Sequence, residues 1–108
     1  MKTNGDWQGQ LAQSLSLSDD LFAASNYEGA YHALMAALHV VDYAGDLASL
    51  EEVVRRAAAQ RSGISGLQVV HRLADDGSIR RGTRSAYSTM ELHFDSVRIR
   101  LQHAKRIA

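Results

Sequence analysis

None of the 108 residues is proline, although about five would be expected at ordinary usage. Proline suits turns, strand edges and long loops, and it is excluded from helix interiors. A chain without it favours long helices joined by short connections. Apolar residues make up 45% of the sequence and charged residues 22%, which fits a globular domain and not a disordered one. The length suits one helical domain over residues 1–108, burying roughly two-thirds of its unfolded surface.

Cysteine is also absent. That excludes a disulfide framework, cysteine-ligated zinc or iron–sulfur centres and thiol nucleophiles, and it fits a reducing compartment. The chain opens on Met1-Lys2-Thr3-Asn4-Gly5-Asp6, not on an apolar signal core. The longest apolar run, Gly29 to Val41, contains His32 and His39 and is too short to span a bilayer. The expectation is a soluble, cytoplasmic protein with no membrane partner.

Apolar spacing predicts four main helices. The first runs from about Asp6 or Trp7 to Ala24, with Trp7, Leu11, Leu15, Ser18 and Phe22 along one stripe. Leu17, Leu21 and Ala24 are expected to widen that stripe. Ser25-Asn26 offers a turn and an N-cap for the second helix, which extends to about Ala44 and is stopped by Gly45. Its face of Tyr27, Ala30, Tyr31, Leu34, Ala37, Leu38 and Val41 marks it as the central helix. Asp46 caps the third helix, about Leu47 to Gln60, where Ser49 and Glu52 also have capping-box spacing.

The fourth helix, about Arg84 to Arg106, carries the cleanest pattern. Tyr87, Met90, Phe94, Val97, Leu101 and Ala104 step alternately by three and four, a heptad seam over nearly three repeats. Leu92 and Ile99 add a second apolar line. One line can pack on the other helices and leave the other for a partner chain; alternatively, a monomer buries both. Residues 62–83 hold Gly63, Gly66, Gly77 and Gly82 and divide between two readings. Leu67, Val69, His71 and Leu73 alternate ahead of the turn dipeptide Asp76-Gly77, whereas Ile64, Leu67, Val70 and Ala74 suit a short helix. An isolated hairpin is marginal, so the segment is expected to be irregular with one helical turn. The expected fold is all-α: four main helices in a bundle, with an irregular segment between the third and fourth.

Formal charge is zero overall but not locally. Residues 1–60 hold three basic and eight acidic side chains, a net −5, while residues 61–108 hold nine basic and four acidic, a net +5. Such halves attract one another, within a chain or between chains.

Candidate chemistry is sparse. Arg80, Arg81 and Arg84, near His71-Arg72, form the best candidate anion site, because arginine grips phosphate bidentately and Gly82 admits close backbone approach. The same cluster also reads as a solvated basic loop, since the Gly-Lys-Ser/Thr phosphate-loop pattern is missing. His32 and His39 share a stripe with Glu28, Met35 and Asp42, but seven residues place them about 10 Å apart along a helix, too far to share one ion. The pairs Glu28–His32 and His39–Asp42 read as local ion pairs, and no metal or other cofactor is expected. No serine lies in a Gly-x-Ser-x-Gly elbow; Gly63-Ile64-Ser65-Gly66 lacks that spacing.

Two resemblances add to this. Leu17, Ser18 and Leu21, then Asn26-Tyr27, Ala30, Leu34, Ala37 and Leu38, fall where a tetratricopeptide-type helical hairpin places its conserved residues, over about residues 14–42. Ser25 stands where that repeat has its turn glycine, and Asp42 where it has its closing proline. The resemblance implies hairpin geometry and a protein-binding role. Arg98-Ile99-Arg100-Leu101-Gln102-His103 looks like the arginine-to-histidine motif of HEPN-type RNases, which are small all-α domains that often dimerise. That resemblance implies Arg98 orienting a scissile phosphate and His103 in acid–base chemistry. On a helix the two lie about 140° apart, and both also complement a helix C-terminus.

The leading expectation is a non-enzymatic interaction or oligomerisation protein, a homodimer through Leu92 and Ile99, with a protein partner also compatible. The alternative is a HEPN-like RNase or nucleic-acid-binding module using the basic C-terminal half.

Overall fold

A computed structural model of the chain describes residues 6–75 and 78–107, with side chains for residues 6–69 and 83–105. The elements in order are α1 (Trp7–Ala23), α2 (Tyr27–Ala44), α3 (Leu47–Ala59), α4 (Arg61–Ile64), β1 (Gln68–Asp75), β2 (Ser78–Ser85) and α5 (Ala86–Ile107). The fold is all-α, and its one sheet among the described residues is a two-stranded hairpin.

The connections explain the helix ends. After α1 the Asn26 N–H donates to the Leu21 carbonyl at 2.8 Å and the Ser25 N–H to that of Phe22 at 2.9 Å. This is a Schellman closure, and it places Ser25 in the left-handed region at φ 62°. Asn26 then caps α2, its Oδ1 accepting from the Gly29 N–H at 3.0 Å. Gly45 ends α2 at φ 70°. The next cap is Asp46, whose Oδ2 accepts from the Ser49 N–H at 3.2 Å and from its hydroxyl. Ser49 therefore serves as a donor to Asp46, and no Ser49–Glu52 box forms; Glu52 instead pairs with Arg55 and Arg56.

Residues 62–83 correct the expectation of an irregular segment. Arg61–Ile64 closes a helical turn, and 68–85 forms an antiparallel hairpin in register from Gln68↔Ser85 to Asp75↔Ser78. A free hairpin is marginal, but this one is anchored at its open end. The Ala86 N–H donates to the Leu67 carbonyl at 2.9 Å, and Ser85 Oγ to the Ser65 carbonyl at 3.0 Å. Leu67 and Val69 pack against the core. These contacts span about twenty residues, so local spacing does not reveal them. Asp76-Gly77 lies outside the described residues.

The core is centred on α2, which touches α1, α3, α4 and α5. Ala30, Leu34, Ala37, Leu38 and Val41 are buried there against Leu11 and Leu15 of α1, Leu50, Val53 and Ala57 of α3, and Ile64 of α4. From α5 come Tyr87, Met90, Phe94 and Val97, the first four seam positions; Leu101 is half-buried and Ala104 exposed. Small residues let α1 and α2 approach closely: Ser18, Ala30 and Ala37 are fully buried. Leu17 and Ala24 do not widen the α1 stripe, since both are exposed. Gly63 lies flat against the Tyr27 ring, where a Cβ would come within 2.4 Å.

One buried polar node joins α1 to the end of α3. Ser18 Oγ donates to the Leu15 carbonyl at 2.8 Å and accepts from Gln60 Nε2 at 3.1 Å. The same amide donates to Asp19 Oδ1 at 3.0 Å, and Arg56 also binds Asp19, at 2.7 Å.

Candidate functional site

α5 has two dissimilar faces. Leu92 is two residues from both Met90 and Phe94, and so lies about 160° around the helix from the buried seam. Ile99 follows seven residues later, on the same line. Leu92 is 53% and Ile99 67% exposed, among the few large apolar side chains left in solvent. The described structure thus leaves the second apolar line uncovered. Ser88, Ser96 and His103, all exposed, share this outer face by helical spacing.

Beside Leu92 a groove of about 480 Å³ runs between α3 and α5, lined by Val54, Tyr87, Glu91, Leu92, Asp95 and Arg98, with Arg84 and Ser88 also bordering it. The guanidinium of Arg61 stacks over the Tyr87 ring at 4.9 Å. Burial raises the Tyr87 hydroxyl above its ordinary pKa and Glu91 adds to this, while Arg61 opposes it. Of the anion-site arginines, Arg84 borders the groove, half-buried; Arg80 and Arg81 lie on β2, with side chains outside the described residues.

Arg98 is committed to a structural contact. Its Nε and Nη2 donate to the two carboxylate oxygens of Glu51 on α3 at 2.9 and 3.1 Å, and Nη1 donates to Asp95 at 3.2 Å. The hydrogen bond from Arg98 holds the Glu51 carboxyl below its usual range; burial opposes this, and the charges of Arg98 and Arg55 reinforce it. His103 is exposed on the outer face, turned away from that fork. The helix thus directs Arg98 to α3 and His103 to the opposite side, without the convergence that the RNase-like pattern implies.

The histidines of α2 are likewise separated. His32 lies 3.9 Å from Glu28, and its ring contacts that of Tyr31. His39 is exposed, and its expected partner Asp42 is bound at 2.7 Å by Arg100 of α5. Among the described residues, no group of three or more metal-ligating side chains converges.

The two charged halves meet inside the chain: Glu51 and Asp42 from the acidic half bind Arg98 and Arg100 from the basic half. Spacing reasoning missed these pairs and Gln60, whose partners lie 41 to 58 residues away in sequence. No local signal marks them. Among the described residues no helix is long and apolar enough to cross a membrane. No protein-family model, curated protein or solved structure matches the chain.

Proposed function

We propose that this protein is a non-enzymatic interaction module that self-associates through the outer face of α5. The observation that carries this reading is the exposure of Leu92 and Ile99, one heptad apart on the face opposite the core seam. Solvating two such side chains in line is unfavourable, and each gains about 1.5–3 kcal/mol on full burial. Both stand on one face of a 22-residue helix, and a second helix packed there would remove them from water together. The α1–α2 hairpin, with its small residues at the crossing, is compatible with a tetratricopeptide-like protein-binding role for the same module. A reducing, cytoplasmic setting fits the lack of cysteine.

Solution mass across a dilution series tests the reading. The expected mass is twice the 11.8 kDa of the chain, falling to 11.8 kDa in the Leu92→Glu/Ile99→Glu variant with helix content unchanged. A strict monomer at high concentration overturns it.

A further inference from the structure

The hairpin brings together arginines that stand apart in sequence. Its register sets Arg72 of β1 directly opposite Arg81 of β2, and like charges opposed on paired strands repel. Alternation along the strands puts this pair on the same face as Gln68 and Thr83, which are both exposed. Arg80 and Arg84 fall on the other face, the one whose Val69 packs on the core. Residues 61–85 hold five arginines against two acids: Asp75, at the last position of β1, and Asp76, next in sequence.

Arg84 is half-buried at the base of β2 and, among the described residues, forms no ion pair or ring contact. The other described arginines do. Arg55 and Arg56 pair with Glu52, Arg98 with Glu51 and Arg100 with Asp42, and Arg61 stacks over Tyr87. Carboxylates also lie by the open end of the hairpin: Glu91 and Asp95 along the groove that Arg84 borders, and Glu28 lining one cavity with Gln68. Asp95 is taken by Arg98, Glu28 lies 3.9 Å from His32, and none of the three pairs with Arg84.

A run of phosphates relieves both features, the half-buried guanidinium without a partner and the directly opposed arginine pair. Arg81 and Arg84 stand about 10 Å apart along β2 and on opposite faces, so one phosphate cannot serve both. The major groove of B-form DNA, about 12 Å wide, admits a two-stranded ribbon between its two phosphate backbones, and this ribbon carries arginine on both faces. The deep, narrow major groove of an RNA duplex does not admit one. We infer that the 68–85 hairpin enters the major groove of double-stranded DNA, with Arg72, Arg80, Arg81 and Arg84 against the flanking phosphates. This site is separate from the outer face of α5 and does not depend on self-association.

Fluorescence anisotropy of a short labelled DNA duplex, titrated with the full chain, tests the inference. Binding is expected at about 50 mM salt, with log affinity falling linearly against log salt as counterions are released. Arg72→Gln/Arg81→Gln should weaken binding several-fold or more and reduce the salt slope by about two, and Arg84→Gln should reduce it by about one. Arg55→Gln removes a charge from α3 and should leave affinity and slope unchanged. Arg72→Lys/Arg81→Lys keeps the charge and should keep the slope, which separates phosphate contact from damage to the hairpin. Absence of duplex binding at low salt overturns the inference, as does equal weakening by Arg55→Gln or loss of slope in the lysine variant. An RNA duplex or a single strand bound as tightly as the DNA duplex overturns it as well.

Discussion

Arg98 of α5 grips Glu51 of α3 with two hydrogen bonds of 2.9 and 3.1 Å, bridging 47 positions of sequence. The fork ties the helix carrying Leu92 and Ile99 to the body of the protein, and draws on one residue from each charged half.

The strength of that pair should depend on pH and salt. Arg98 depresses the Glu51 pKa, so the unfolded chain takes up a proton at higher pH than the folded one. The stabilisation is therefore present above the ordinary value of 4.5 and is lost as pH falls through the depressed folded value. Both side chains are partly solvated, which limits the pair to about 0.5–1 kcal/mol. Urea unfolding of Arg98→Ala against the parent should show that loss at pH 7, and the loss should shrink as pH falls below 4.5 and in 1 M salt. A difference that changes with neither pH nor salt would mean that Arg98 acts through packing.

Gly63 is expected to resist any side chain. A Cβ there would stand 2.4 Å from two atoms of the Tyr27 ring and 2.9 Å from the Phe22 ring, and those rings hold each other at 5.4 Å. Alanine is the better helix former by about 1 kcal/mol, but the overlap outweighs that gain. Gly63→Ala should destabilise by about 1–3 kcal/mol in denaturant unfolding. Adding Tyr27→Leu should recover part of the loss, so that the double variant costs less than the two single changes together.

Ser25 points the opposite way. It occupies the left-handed position of the Schellman closure at φ 62°, where glycine carries no steric penalty. Ser25→Gly should raise stability by about 1 kcal/mol, visible as a Tm increase of about 4 °C or more in a domain of this size. A fall in Tm would mean that the serine side chain contributes more than its backbone costs.

The helices could be read from the chain because their determinants are local. Gly45, Asp46 and Asn26 mark ends, and the steps from Tyr87 to Val97 describe the face that is buried. The hairpin could not, since Leu67, Val69 and Ser85 stabilise it only once α4 and α5 stand beside them. The candidate site divides similarly. Leu92 and Ile99 stood out by spacing, but their exposure depends on which face of α5 the other helices cover. The RNase-type resemblance implies a phosphate contact for Arg98, and the fold sets Glu51 of α3 beside it, a pairing that no local spacing marks.

From its own order of residues, this chain specifies proline-free helices, their caps and two apolar lines along the last of them, because propensity, capping and periodicity act within a few residues. Its tertiary structure alone decides that 68–85 is a hairpin, that Asp42 and Glu51 spend their charge on Arg100 and Arg98, and that the Leu92–Ile99 line faces outward. Those outcomes depend on contacts between residues up to 58 positions apart, formed only when burial of the core brings the helices together.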